Sequence, residues 1–186
     1  MKRKMYKTVM IAVAAMFIAG AANAQTEKSN SESKTVTGQL AQRLDNYDLI
    51  HVYWSFYDKG RVPSALRCSI VNGDFTVVLP AIPQDYLQKP SNFFQSPVKT
   101  SNNVNIGQAC FFAYTSASRK YSGDLYPVGR GGEGHYIYAA GDINITGETP
   151  LGKLNLLLKQ GWNSVVKDKQ QTWIVLEIPF DWMWDQ

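Results

Sequence analysis

The sequence predicts an α+β fold: one domain, with a mostly antiparallel sheet and one well-marked helix at about residues 150–160 packed on it. Three observations predict this class. Asn72-Gly73 is a hairpin turn between two alternating segments. Further segments alternate with period two, and helix signals bracket a leucine-rich stretch late in the chain. Early hairpins followed by a late helix favour α+β over a parallel α/β sheet.

The first 24 residues predict a signal peptide. Basic residues within positions 2–7 precede an apolar run that is too short to span a membrane, and Ala22-Asn23-Ala24 fits a cleavage site. We therefore expect cleavage after Ala24 and export to the periplasm or the exterior. The short, lysine-rich signal is typical of bacteria. Residues 25–36 are polar and predict a flexible leader. No later stretch predicts a transmembrane segment.

The charge balance excludes a basic nucleic-acid footprint. The chain has 19 basic and 15 acidic residues, a formal net charge of +4. Four of the basic residues lie in the signal peptide with no acid beside them, so the mature chain has 15 of each and is formally neutral. Nucleic-acid binding needs surplus Lys or Arg on one face. We therefore expect no nucleic-acid partner.

Two cysteines, Cys68 and Cys110, predict one disulfide in an exported chain. Closing that loop would restrict the unfolded chain by about 4 kcal/mol in the chain-entropy description. The alternative is a reactive thiol, which suits a reducing compartment better.

The first half of the mature chain predicts a short helix and then strands. Leu40 and Leu44 share one face of the short helix. Residues 47–57 alternate with period two, as a half-buried strand does. The core face of that strand carries Ile50, Val52, Trp54 and Phe56, and the other, tyrosine-rich face carries His51, Tyr53 and Tyr57.

Residues 66–79 predict a hairpin in which turn chemistry and hydrophobic register agree. Asn72 and Gly73 tolerate the positive φ that both central positions of such a turn need. The register pairs Ile70 with Phe75, Cys68 with Val77 and Leu66 with Leu79, all on the core face. Alternation in residues 109–115 places Cys110 on the same face as Phe112 and Tyr114, which predicts a second core-facing strand. Two such strands are expected to bring the sulfur atoms of Cys68 and Cys110 together.

Residues 83–108 predict a long loop rich in Pro, Ser and Asn. Connections of this length are usually functional or disordered. Tyr86, Phe93 and Phe94 argue against simple disorder. They either pin the loop to the domain or form a partner-binding surface.

The C-terminal third predicts strand, helix, strand. Residues 135–145 alternate as a strand. Thr149 as N-cap, Pro150 in the first turn and Gly161 past the end delimit the helix, whose buried stripe is Leu151, Leu154, Leu157 and Leu158. The last strand ends in an aromatic tail that either completes the core or forms an exposed strip for a partner; its residues are Phe180, Trp182 and Trp184.

Gly129-x-Gly131-x-x-Gly134 has the spacing of a dinucleotide-binding fingerprint. That motif needs a strand before it and a helix after it, and here the following residues alternate like a strand. We therefore predict no cofactor. The remaining glycine-rich loop carries Arg130 and Glu133, and its exposed amides suit an anion or another ligand.

Catalytic and metal signals are weak. His51 and His135 are the two histidines, and together with Glu133 they are weak candidate metal ligands. A zinc site normally shows three or four ligands at tight spacings, so a structural role is favoured for His135. Ser55 lies four residues from His51, about 13 Å along a strand, so the two cannot form a nucleophile–base pair.

These observations predict an exported bacterial protein of the periplasm or cell surface that acts as a non-enzymatic accessory or binding protein. We expect a protein partner in the envelope; the oligomeric state is open. The alternative is a small secreted hydrolase or metal-assisted enzyme that uses His51, Glu133 and His135. The candidate contact residues are Arg130, Glu133, Tyr53, Tyr57, Trp182 and Trp184.

Overall fold

The computed structural model describes residues 33–56, 60–178 and 182–186, and most of these residues lie in strands. The predicted signal peptide at 1–24, most of the predicted leader at 25–36, Tyr57 and Phe180 lie outside the described residues. The strands are β1 (Lys34–Leu40), β2 (Leu49–Phe56), β3 (Gly60–Ser69), β4 (Asp74–Leu79), β5 (Lys99–Thr100), β6 (Ile106–Thr115), β7 (Lys120–Tyr121), β8 (Tyr126–Gly129), β9 (Gly132–Ala139), β10 (Ile143–Thr149), β11 (Gly152–Leu158), β12 (Gly161–Lys167), β13 (Thr172–Val175) and β14 (Met183–Asp185). A short helix, α1 (Pro90–Phe93), and 3-10 turns at Gln42–Leu44 and Gln84–Tyr86 complete the regular structure of these ranges.

The sheet forks at β9 because two strands share one of its edges. One edge pairs with β12. The other edge pairs with β8 at Gly132 and Glu133, and with β6 from Tyr136 to Ala139. From this fork one branch runs β8–β14–β1–β4 and the other runs β6–β2–β3, while the far side of β9 continues as β12–β13–β11–β10–β5.

The first core lies between the two branches and is centred on Trp184. Its indole centroid is 5.0 Å from the ring of Phe75 in β4 and 4.9 Å from that of Phe111 in β6. A Cβ added to Gly38 of β1 would collide with this indole, so the glycine leaves the space that the indole occupies. A side chain from the end of the chain thus contacts both branches.

The second core lies on the opposite face of β9. Tyr136 points into the first core, whereas Ile137 and Ala139 point into the second, as alternation along a strand requires. Phe93 and Phe94, at the end of α1, are buried in the second core, and the ring of Phe94 lies 6.1 Å from that of Trp173. The 83–108 segment is therefore packed onto the domain through its aromatic residues.

The predicted α+β class is wrong, because the leucine-rich stretch at 150–160 is a hairpin and not a helix. Strands β10 and β11 pair in an antiparallel register across a turn at Pro150 and Leu151. Thr149 serves the turn rather than a helix cap: its Oγ1 accepts from Leu151 N at 3.2 Å and donates to Gly152 O at 2.9 Å. A short apolar run is compatible with the 3.6-residue period of a helix and with the two-residue period of a strand, and in this protein it forms a strand. The described chain is a β-rich protein with one mixed sheet.

The hairpin predicted at 66–79 has the right turn and the wrong strand pairing. Asn72 and Gly73 have φ of 53° and 83°, and Val71 and Asp74 exchange backbone hydrogen bonds of 2.9 and 3.0 Å. Beyond this tip the strands diverge, since β3 pairs with β2 and β4 pairs with β1. The predicted inward-facing residues still line or adjoin the first core. Alternation therefore identified the buried face but not the neighbouring strand.

The predicted Cys68–Cys110 disulfide is also wrong, since neither cysteine forms a disulfide in the described residues. Strand β2 lies between them: Cys68 pairs with Ile50 on one edge, and Cys110 pairs with Tyr53 on the other. Two strand spacings are about 9–10 Å, whereas bridged Cα atoms are within about 7 Å. Ile50 and Tyr53 also point to opposite faces of β2. Cys110, with Phe112 and Tyr114, therefore lies on the outer face of this branch and not on the predicted core face.

The first and last described strands, β1 and β14, are neighbours. The two strands are parallel, with Leu40 opposite Trp184. Arg43 holds the end of the chain, since its Nε donates to Asp185 Oδ1 at 2.6 Å and its Nη2 donates to Gln186 O at 3.1 Å. Leu40 and Leu44 are both buried, but one lies in a strand and the other in a 3-10 turn instead of on one helix. The described ranges contain no helix long and apolar enough to cross a membrane.

We expect truncation to alanine to destabilise the protein much more at Leu156 than at Leu157. Leu156 is fully buried, whereas Leu157 is 61% exposed. Leu156→Ala should lower the free energy of unfolding by about 2–5 kcal/mol, and Leu157→Ala by less than about 0.5 kcal/mol. Urea unfolding of the two variants measures the difference. A helix at 150–160 requires the reverse order, because its buried stripe includes Leu157 and omits Leu156.

Neighbouring residues of β14 provide a second test. Trp184 is 2% exposed and Met183 is 38% exposed. Trp184→Ala should cost about 3–5 kcal/mol of unfolding free energy because it leaves a cavity between the branches. Met183→Ala, the matched control, should cost less than about 1 kcal/mol. Similar costs for both variants in the same urea titration would contradict this placement of the tail.

Candidate functional site

An aromatic surface covers the outer face of β2, β6 and β7, and we call it the tyrosine face. The strand registers build it: Leu49 is opposite Tyr114, His51 is opposite Phe112, and Tyr114 is opposite Tyr121. Because side chains alternate, these residues share the face that points away from the first core. The tyrosine face comprises His51, Tyr53, Arg67, Phe112, Tyr114, Tyr121 and Ser122.

A chain of hydrogen bonds and ring contacts orders this face. Tyr53 Oη donates to Tyr121 Oη at 3.1 Å, and Tyr121 Oη lies 3.2 Å from His51 Nδ1, to which it is placed to donate. The His51 ring stacks on Tyr114 at 4.9 Å, and Tyr114 packs against Tyr121 at 4.7 Å between centroids. Tyr53 meets Phe112 edge to face at 5.2 Å. The hydroxyl and imidazole groups of β2 are therefore held by Tyr121 of β7, across the intervening strand β6.

The electrostatics of the face are governed by burial and by Arg67. Burial lowers the pKa of His51, and the nearby Arg67 charge lowers it further. Burial and the hydrogen bond to Tyr121 raise the pKa of Tyr53 to about 12, although Arg67 opposes this shift. His51 and Tyr53 are thus neutral at pH 7, and Arg67 is the charged group that acts on both.

A groove of about 330 Å³ opens on the tyrosine face, lined by Tyr53, Phe112, Tyr121 and Ser122. Tyr121 is 48% exposed, so much of its ring is accessible, whereas Phe112 is 6% exposed and forms the buried part of the wall. Ligand sites of this size combine aromatic walls with a few fixed polar groups. The groove has both.

A second, smaller cavity of about 100 Å³ lies at the fork of the sheet, where β6 and β8 separate along β9. Its polar lining includes Gln108, Cys110, Tyr126 and His135, and Trp184 lines it as well. The volume corresponds to about three water molecules. The fork cavity is therefore too small for a substrate-sized ligand.

His135 is held as a structural histidine beside this cavity. Its ring stacks on Trp173 at 4.6 Å, and the Gln108 amide Nε2 donates to Nδ1 at 3.3 Å. Burial, with a smaller effect of the Lys167 charge, lowers the pKa of His135 to about 4. The ring is neutral at pH 7, and its Nε2 is buried with no hydrogen-bond partner in the described structure.

The structure does not bring the three weak metal candidates together. Glu133 and His135 lie on β9, and His51 lies on β2 with β6 between them. No group of three or more His, Cys, Asp or Glu side chains within 33–56, 60–178 and 182–186 is arranged to hold a metal ion.

The other candidate residues occupy three different environments. Arg130 is exposed in the two-residue turn that joins β8 and β9, and Glu133 is half-buried in β9. The glycine-rich stretch is therefore an antiparallel hairpin. Trp182 and Trp184 are 9% and 2% exposed, and a Cβ added to Gly129 would collide with the Trp182 indole. Both tryptophans lie inside the protein rather than on an accessible strip.

The sequence predicts Tyr53 and His51 as residues of a tyrosine-rich face, but it does not predict that Arg67 and Tyr121 belong to the same site. Alternation in 110–114 grouped Phe112 with Tyr114, and that grouping was right, but it assigned them to the core. The signal that could have corrected it is the match between two tyrosine-rich alternating segments. Comparisons with protein-family models, curated protein sequences and solved structures found no match.

We expect acid to destabilise the protein through His135. In the unfolded chain His135 takes up a proton near its ordinary pKa of 6.5, whereas in the folded protein it does so near 4. The unfolded state thus binds more protons as the pH falls from 6.5 to 4, so stability falls with it. The loss between pH 7 and pH 5 should be about 2 kcal/mol, measured by urea unfolding at each pH. His135→Gln should remove most of this dependence, and an unchanged slope in the variant would contradict the assignment.

Proposed function

We propose that this chain is an exported, non-enzymatic binding protein of the bacterial periplasm or cell surface that holds another envelope component against its tyrosine face. The observation that carries the proposal is the groove beside Tyr121, whose walls are ordered before any ligand arrives. Groups that are already fixed lose little conformational entropy on binding. Export is supported by the sequence of residues 1–24.

The chemistry of the groove favours binding over catalysis. A general base needs a free lone pair within reach of the ligand. His51 Nδ1 already faces the Tyr121 hydroxyl, and His51 Nε2 is buried. Neither nitrogen is placed to take a proton from a ligand in the groove. The alternative enzyme, built on His51, Glu133 and His135, has less support because those side chains lie apart.

The contact surface follows from exposure. Tyr53 and Tyr121 line the groove, and the exposed Arg67 lies opposite His51 and acts electrostatically on Tyr53. Arg130, exposed on the turn between β8 and β9, remains a candidate for a second contact. We do not assign contacts to Trp182 or Trp184, because the packing of both side chains inside the protein already accounts for them.

Site-specific photocrosslinking tests the proposal. A photoreactive residue at position 121 should form a saturable adduct with one class of envelope component in intact cells, identified by mass spectrometry. The same residue at position 78, where Val78 is 53% exposed on the other branch, is the matched control and should give no such adduct. The isolated protein should begin at Gln25 and be recovered from the periplasmic or extracellular fraction. Equal adducts from both positions, or a cytosolic protein with residues 1–24 attached, would exclude the proposal.

A further inference from the structure

The ring of Tyr121 is an exposed and fixed platform. Its hydroxyl contacts Tyr53 and His51 at 3.1 and 3.2 Å, and Tyr114 supports the ring at 4.7 Å. The face of an aromatic ring is electron-rich and attracts the partly positive C–H groups of a ligand. A saturated ring that presents several C–H groups on one side, as a pyranose does, therefore fits this platform.

The hydroxyl groups around the groove suit a polyhydroxylated ligand. Because Tyr53 donates its proton to Tyr121, its oxygen retains lone pairs that accept from a ligand hydroxyl. Ser122 Oγ is fixed by Ala113 N at 2.9 Å and by Gly123 O at 2.7 Å, so its position is also set by the backbone. Among the side chains that the structure describes, the lining has aromatic and hydroxyl groups and no aliphatic group. Such walls favour a sugar over an apolar peptide side chain.

The backbone beneath the groove excludes recognition by strand addition. Strand β2 is paired on both edges, with β3 and with β6, and β6 is paired with β2 on one edge and with β7 and β9 on the other. Strand addition needs a free row of N–H and C=O groups. The floor of the groove, formed by β2 and β6, offers none. At its margin the two-residue strand β7 is paired on one edge, with β6.

Among the side chains that the structure describes, Arg67 is the cation of the tyrosine face. It lies opposite His51 on the same outer face and acts electrostatically on both His51 and Tyr53. No ion pair to Arg67 is formed by any acid in the part of the chain that the structure describes. A guanidinium pairs best with a carboxylate, through two parallel hydrogen bonds. One cation beside an aromatic platform suits a ligand with one carboxylate per ring, and it does not suit the dense phosphates of a nucleic acid.

We infer that the tyrosine face binds an acidic saccharide, with a uronic acid ring stacked on Tyr121 and its carboxylate paired with Arg67. This inference rests on the proposed function and names its ligand class. The ligand carboxylate neutralises Arg67, and its hydroxyl groups donate to Tyr53. The envelope component is then an acidic polysaccharide or a polymer that carries uronic acid residues.

Binding to purified oligosaccharides tests the inference. The probes are oligomers of galacturonate, glucuronate, mannuronate and guluronate, each compared with its methyl ester, which keeps the ring and removes the charge. We expect the mature chain to bind at least one acid, at least 10-fold more tightly than its ester, by isothermal titration calorimetry. The affinity should fall as salt is raised, because the charge pair is exposed.

Variants separate the two contacts. Arg67→Gln should reduce the preference for acid over ester to less than about 3-fold, and Tyr121→Ala should weaken both acid and ester by more than about 10-fold. Lys153→Gln, which removes an exposed cation from β11, is the control and should bind like the parent. Urea unfolding should show that all three variants remain folded.

The outcomes distinguish this inference from the function on which it rests. Equal binding of acid and ester, or an unchanged preference in Arg67→Gln, overturns the role of the charge. If no uronate oligomer binds while the crosslink at position 121 persists, the ligand class is wrong and the binding function stands. If the crosslink at position 121 is not formed, both the ligand class and the binding function are wrong.

Discussion

The fork at β9 is the constraint on which the rest of the structure depends. One edge of this strand holds β8 at its start and β6 at its end, so the sheet separates into two branches that close over a common core. The two faces of β9 lie in different cores, with Tyr136 on one side and Ile137 on the other. The strand must therefore fit two packing environments with alternate residues, and at Gly134 an added Cβ would crowd the side chains of Ile178 and Pro127.

The space that the fork opens is filled by aromatic side chains from the end of the chain. Trp184 reaches Phe75, Phe111 and Tyr136, which lie on β4, β6 and β9. Burial of an aromatic side chain of this size removes about 150–250 Å² of surface from water. Because Cys68 and Cys110 form no disulfide, the described domain is held by this packing and by its backbone hydrogen bonds between strands.

The fork also creates the tyrosine face. Near β9 the outer side of β6 is covered, so Ile106 is fully buried in the second core. Farther along, β6 leaves that core and pairs with β2 and β7, and its outer side carries Phe112 and Tyr114 beside Tyr121. One strand thus changes from core to surface along its length. Its alternation alone does not reveal where the change occurs, because aromatic residues line both parts.

Local chemistry determined several features that the sequence predicts well. The positive φ of Asn72 and Gly73 and the inward face of residues 66–79 follow from turn geometry and from period-two alternation, which act within a few residues. The same reasoning placed His51 and Tyr53 on an outer face. It failed for Leu154–Leu158, where five residues fit two periods and only pairing with β10 and β13 selects the strand.

The sequence by itself determined the turn at Asn72-Gly73 and the buried face of residues 66–79. The tertiary structure alone decided which strands are neighbours, that β2 separates the two cysteines, and that Arg67, His51 and Tyr121 meet on one surface. The reason is physical. Alternation and turn propensity are properties of adjacent residues, whereas strand partners are selected by the fit of distant side chains, above all Trp184 against Gly38, into one closed core.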